Sequence, residues 1–357
     1  MKKITPLLIA LFIVLTACNQ ATSQQQQKIN SAKIVAEQFL KDQQIPGMAI
    51  SVSHKGKLIW SEGFGFSDIE AQKKVTPNTT QFRIASISKT ITAVAMARLV
   101  DENKLDFDSS VYAYVPDFPK KKYRFTVRQI AGHTAGIRHY RGTEFLLNKK
   151  MSIVEGLDIF KNDSLLFQPG ANYSYSTYGW NLLSVVVQNV SKMDFNVYMS
   201  KRIFTPLQMK NTSLGFSDKA MPNRTLFYVK QSGKIKIAPT VNNEFKAAGG
   251  GFVSTSEDLI LFGNEIINPK IISKNTISEL TTPLKTSAGK NTNYGIGIGV
   301  VKLKNNTLRY AHSGGGMGAT SFLSMYPEKE LVITILTNLS GVHIQKLAGQ
   351  LEEIFIE

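Results

Sequence analysis

Residues 46–68 read "PGMAISVSHKGKLIWSEGFGFSD" and alternate apolar with polar positions on both sides of Lys55 and Gly56. Strict alternation around a turn-forming pair predicts a β-hairpin with one face on a core. Strand patterning returns between 294 and 338, as in "ATSFLSMYP" (319–327) and "LVITILTN" (331–338), across short Asn-, Gly- or Glu/Lys-containing turns. Short connections make neighbouring strands antiparallel. Outside these strands lie two amphipathic helical patterns, "INSAKIVAEQFLKDQ" (29–43) and a last one from about 342 to 356. Helices at both chain ends can cover one face of a sheet. The intervening stretch, about 86–260, is mainly helical in period. The expected fold class is therefore α/β (α+β): a five-stranded antiparallel sheet flanked by terminal helices, with an inserted, mainly helical subdomain. A cleft between the two parts is the expected place for chemistry.

The chain has 357 residues, 43% of them hydrophobic, enough for a large core. It opens "MKKITPLLIALFIVLTA", two lysines and then an apolar run, followed at once by Cys18, the only cysteine. That run is shorter than the about 20 residues a membrane span needs, and it predicts a secretory signal over 1–17. "LTAC" (15–18) is similar to the bacterial lipoprotein box, so Cys18 is expected to carry lipid and hold the mature chain on a membrane in the bacterial cell envelope. Polar, low-complexity residues 18–28 are expected to form a flexible tether, and 29–357 the folded domain.

The formal net charge is +16, or +14 once Lys2 and Lys3 leave with the signal. An exported basic protein meets anionic headgroups and wall polymers rather than nucleic acid, and the lysines are scattered. The densest cluster, "PKKKYR" (119–124), reads as a solvated loop. No metal-ligand spacing or phosphate-binding glycine loop occurs, so no cofactor is implied.

"RIASISKTIT" (83–92) places Ser86 three residues before Lys89 at the start of a helix whose apolar positions are Ile87, Ile91, Val94, Ala95 and Leu99. Ser86 and Lys89 then share the opposite, polar face and can hydrogen-bond. A serine in the first helical turn also meets free N–H groups that favour a developing oxyanion. A rival pair, Ser287 and Lys290, lies in a Gly-, Pro- and Ser-rich loop with no helix to hold it. Two further constellations follow: Tyr175, Ser176 and Thr177 after the Pro169–Gly170 turn, and "HSGGGMG" (312–318) between two strands.

In this order, Ser-x-x-Lys, Tyr-Ser-Thr and His-Ser-Gly-Gly resemble the class C β-lactamase and penicillin-binding-protein family of serine hydrolases. "IRHY" (137–140), "YSYSTYGW" (173–180) and "AAGGGFVSTSEDLILFG" (247–263) are similar to the branch holding the mitochondrial β-lactamase-like protein and its bacterial relatives. The resemblance implies the β-lactamase/transpeptidase-like fold, Ser86 as acylated nucleophile, Lys89 as proton acceptor and Tyr175 as the acid and base at the leaving group. It implies an oxyanion hole from the backbone N–H groups of Ser86 and Gly315. Substrate contacts are expected from His312, Ser313, Gly314, Thr177, His139 and Tyr140. His133 reads as packing a helix end, and Gly249–Gly251 as a tight turn.

Two departures stand out. His312 replaces the family's usual lysine and is expected to hold a substrate carboxylate only when protonated, and Thr177 replaces an asparagine. "KTSA" at 285–288 imitates the missing lysine motif outside a strand. Three functions fit: a lipid-anchored hydrolase of amides, peptides or esters, with β-lactams and cell-wall peptides as candidate substrates; a penicillin-binding wall protein that acylates without turnover; and a surface scaffold. The partners expected are a small-molecule or peptide substrate and a membrane, while oligomeric state is left open.

Overall fold

The computed structural model describes residues 6–216 and 221–356, with side chains from Ser23 onward. Helix α1 spans Pro6–Gln43. Proline occupies its first position and neither Pro nor Gly interrupts it, so the polar stretch expected as a tether continues the helix, with Ser23 to Gln27 exposed. Ala32 is the first buried side chain among those described. The signal expected at 1–17 and the lipid site expected at Cys18 precede Ser23, outside the residues whose side chains are described. No helix among the described residues is long and apolar enough to cross a membrane.

Seven strands form the main sheet: β1 (Gly47–His54), β2 (Lys57–Asp68), β3 (Lys73–Lys74), β4 (Gly299–Lys302), β5 (Leu308–Gly316), β6 (Ala319–Tyr326) and β7 (Leu331–Thr337). Their spatial order is β3-β2-β1-β7-β6-β5-β4. The hairpin β1–β2 forms as its alternation requires, and β1 pairs antiparallel with β7, Ile50 opposite Ile335. The expected count of five is corrected to seven because short strands close both edges. Two exposed lysines, Lys73 and Lys74, carry no periodicity that could mark the first of them.

β7 shows how the sheet divides the core. Ile333 and Ile335 face a layer with Ala32, Ala36 and Phe39 of α1 and with Leu347 and Leu351 of the last helix. Val332 and Leu336 face the opposite layer. Each such side chain contributes about 1.5–3 kcal/mol on full burial, so a one-residue slip of register forfeits both layers.

That second layer holds α2 (Ile87–Asp101), α3 (Val127–Ala131), α4 (Thr177–Ser191), α5 (Ser256–Ile267) and α6 (Lys274–Thr281); the last helix, α7, spans Ile344–Ile356. Contrary to the expected polar face, α2 is buried on every side from Ile87 to Ala97. Its polar side chains reach neighbouring backbone instead: Thr90 Oγ1 donates to the Gly297 carbonyl at 2.7 Å, and Ser88 Oγ accepts from the Phe252 N–H at 3.2 Å. A three-stranded sheet of Phe82–Arg83, Phe252–Ser254 and Ser213–Leu214 lies in the inserted region, beside a hairpin of Tyr228–Gln231 and Lys234–Ile237. The small sheet brings the segment entering Ser86 against the one leaving the glycine run.

Candidate active site

Ser86 caps α2 in a helical conformation, and the preceding Ala85 has φ of +44°. A left-handed alanine is strained, and such strain persists where the surroundings over-determine it. Here the Ile84 N–H donates to the Phe252 carbonyl at 3.1 Å, and the Ile84 carbonyl accepts from Ser321 Oγ at 2.9 Å. The result is a sharp strand-to-helix turn that leaves Ser86 at the wall of a cavity of about 210 Å³.

Lys89 lies one turn along α2 and is fully buried. Its Nζ is 3.1 Å from Ser86 Oγ, 3.2 Å from Thr177 Oγ1 and 2.5 Å from the Gly249 carbonyl oxygen. Burial holds its pKa well below the ordinary lysine value, with no carboxylate opposing. A neutral amine has two N–H groups and one lone pair, which matches two acceptors and one hydroxyl. Gly249 is a glycine because a Cβ there would lie 2.6 Å from Thr177 Cγ2. The run read as a tight turn thus supplies the carbonyl that fixes the amine.

Tyr175 reaches the same point from the loop before α4. Its ring face lies 4.9 Å from Lys89 Nζ, and its hydroxyl is near enough to the Ser86 side chain to feel it electrostatically. Burial raises its pKa above the ordinary tyrosine value, opposed in part by the Ser86 side chain, so it rests as the phenol.

Two histidines hold this loop by the backbone. His133 Nδ1 accepts the Ser176 N–H at 3.1 Å, and His139 Nδ1 accepts the Thr177 N–H at 3.2 Å. Both must be neutral to accept. Burial depresses both, His133 well below the usual range and His139 to about 4. His139 and Tyr140 line the cavity as expected, and so do Thr177 and Gly315. Gly315 sits on β5 past Ala311, where pairing with β4 has ended.

Three residues expected to contact substrate do not line the cavity. His312 is only 7% exposed and does not line the cavity. Its Nδ1 donates to the Ser313 carbonyl at 2.7 Å and its Nε2 accepts from the Tyr294 hydroxyl at 2.9 Å. Burial lowers its pKa to about 3. A neutral, doubly bonded imidazole cannot hold a carboxylate. Ser313 is exposed outside the cavity. Gly314 is packed so closely that a Cβ would lie 2.3 Å from the Ile84 carbonyl. The rival loop behaves as expected: the Ser287 N–H donates to the Gly170 carbonyl, and Lys285 lines a different cavity.

Arg83 and Lys246 also line the cavity, and the sequence reading missed both. Arg83 stands three residues before Ser86, and Lys246 directly before "AAGGG"; neither spacing signals chemistry until the small sheet folds. Lys246 is 4% exposed, donates to the Phe145 carbonyl at 2.9 Å, and has its pKa lowered to about 8 by burial and by Arg83.

The comparisons with known proteins agree with this geometry. The Beta-lactamase family model matches residues 33–350. The human mitochondrial serine beta-lactamase-like protein LACTB is 30% identical, the match covering 90% of this chain and 78% of that protein. Two solved structures share the fold. The octameric penicillin-binding protein homologue from Pyrococcus abyssi has a TM-score of 0.80 at 23% identity, over 92% of this chain and 77% of that one. The D-amino acid amidase from Ochrobactrum anthropi has a TM-score of 0.79 at 20% identity, over 92% and 98%. With Ser86 and Tyr175 on one cavity and Lys89 buried behind Ser86, the chain belongs to the beta-lactamase family of serine hydrolases.

Proposed function

We propose that this protein cleaves amide, peptide or ester bonds through an acyl-enzyme on Ser86, and that it does so from a lipid anchor on Cys18 in the bacterial cell envelope. The observation that carries the chemistry is Lys89 Nζ, fully buried, 3.1 Å from Ser86 Oγ. The Lys89 lone pair takes the Oγ proton as Oγ adds to the carbonyl carbon. Negative charge on the carbonyl oxygen is met by the N–H groups of Ser86 and Gly315. Collapse breaks the bond to the leaving group, which receives a proton from the Tyr175 hydroxyl, and Tyr175 is reprotonated at the expense of Lys89. Water then attacks the acyl-enzyme by the reverse sequence and releases the acid. Amides are the favoured class: the amidase likeness supports them, and their poor leaving group needs the acid that phenolic Tyr175 supplies.

A fluorophosphonate probe should label Ser86, located by mass spectrometry of a tryptic digest. Equal labelling of Ser86→Ala would overturn the reading. The anchor rests on "LTAC" (15–18) alone. A fatty-acid analogue should be incorporated by wild type and not by Cys18→Ala; equal incorporation would remove the anchor.

A further inference from the structure

The cavity at Ser86 has a charge imbalance that the acyl-transfer scheme does not use. No Asp or Glu is among its described lining residues, whereas Arg83 and Lys246 both are. The two cations come from chain segments far apart in sequence and are close enough that the Arg83 charge acts on Lys246. Each spends one N–H on a backbone carbonyl, Arg83 on Met317 at 2.7 Å and Lys246 on Phe145 at 2.9 Å, which orients it and leaves further donors. Burying like charges together without an anion is costly, and a bound anion relieves that cost. His312 does not compete for such an anion, since its ring is neutral and bonded at both nitrogens.

We propose that Arg83 and Lys246 form a carboxylate subsite, and that the substrates of Ser86 are acyl compounds carrying a free carboxylate. The planar guanidinium suits two-oxygen recognition, and the lysine adds a point charge beside it. Phe145 and Tyr140, on the same wall, give an apolar flank for the chain between the carboxylate and the reacting carbonyl. The subsite rests on the acyl-enzyme reading but has its own test.

The test compares kcat/KM for the 4-nitrophenyl monoesters of succinic, glutaric and adipic acids with that for their methyl-capped counterparts, which keep length and leaving group but lose the charge. At least one free acid should exceed its capped partner about tenfold or more in wild type, the scale of a charge-assisted contact. That ratio should fall about tenfold in Lys246→Met and in Arg83→Gln and be retained in Lys246→Arg, with thermal unfolding confirming that each variant is folded. Ratios near one across the wild-type series, or ratios unchanged in both neutralised variants, would overturn the subsite. If no ester is turned over in a Ser86-dependent way, the hydrolase reading fails instead. The subsite is then read in the Ser86→Ala protein by saturation-transfer NMR. Binding of monomethyl glutarate but not dimethyl glutarate, lost in Lys246→Met, supports it, and equal binding of the two overturns it.

Discussion

Lys89 is suited to the proposed role of base because the fold denies it water and counter-charge. An ordinary lysine titrates near about 10.4, and the buried amine gives up its proton well below that. Tyr175 is shifted the other way and stays protonated over the same range. Acylation should therefore show no rise near about pH 10, where an unshifted lysine would switch on, and should fall on the acid side as Lys89 gains its proton. Stopped-flow burst kinetics with a 4-nitrophenyl ester would check this; a rise in rate centred near pH 10 would contradict it. Lys89→Arg keeps the charge and cannot accept a proton, so the burst rate should drop about 10³-fold, within the range for losing a general base.

Among the elements, β5 sets the shape of the site through adjacent glycines with opposite demands. A Cβ at Gly314 would meet Ser321 Oγ at 2.2 Å and the Ile84 carbonyl at 2.3 Å, whereas a Cβ at Gly315 meets nothing within 4 Å. Gly314→Ala should cost about 1–3 kcal/mol by overpacking and slow acylation, because Ile84 leads into the Ser86 turn. Gly315→Ala should leave stability within about 0.5 kcal/mol. Urea unfolding of the two variants measures the difference, and equal losses would show that this strand contact does not hold the turn. The same scale explains what was legible in the sequence. Both terminal helices were readable because each has a wet side and a dry side, and the hairpin β1–β2 and the late strands were readable from their alternation and turns, although β1, β6 and β7 are buried on both faces. α2 was readable as a helix but not as one buried all round, since its polar residues bond to loops brought near only by folding. His312 misled for the same reason: its motif is visible, but the Tyr294 hydroxyl that occupies its Nε2 comes from another segment. Arg83, Lys246 and the Gly249 carbonyl were invisible because they meet Ser86 and Lys89 only across the small sheet.

For the molecule as a whole, buried neutral histidines imply acid sensitivity. His133 and His312 are 2% and 7% exposed, and both bind protons less readily folded than unfolded. Below the ordinary histidine pKa of about 6.5 the unfolded chain takes up protons that the native chain refuses, so stability is lost as pH falls. Each contributes up to about 1.4 kcal/mol per pH unit in that window, which for His312 extends to its folded value of about 3. Against a typical stability of about 5–15 kcal/mol, the melting temperature should fall steeply below about pH 6. His312→Gln should show a shallower fall in calorimetric scans from pH 7.5 to 4.5; identical slopes would mean that His312 is not the group titrating.

The centre of the sheet joins opposite ends of the chain, Met48 beside Thr337. A chain synthesised from its N-terminus makes the β1–β2 hairpin early and then holds one edge of β1 open while almost all the rest is made. Such distant pairing makes folding slow and leaves a sticky edge exposed in the meantime. The layer under α1 draws on β1, β6, β7 and α7, so it cannot close before the last strands and helix arrive. That layer has no finished form short of completion, and whatever attends the nascent protein during synthesis must keep that open edge from pairing with another chain.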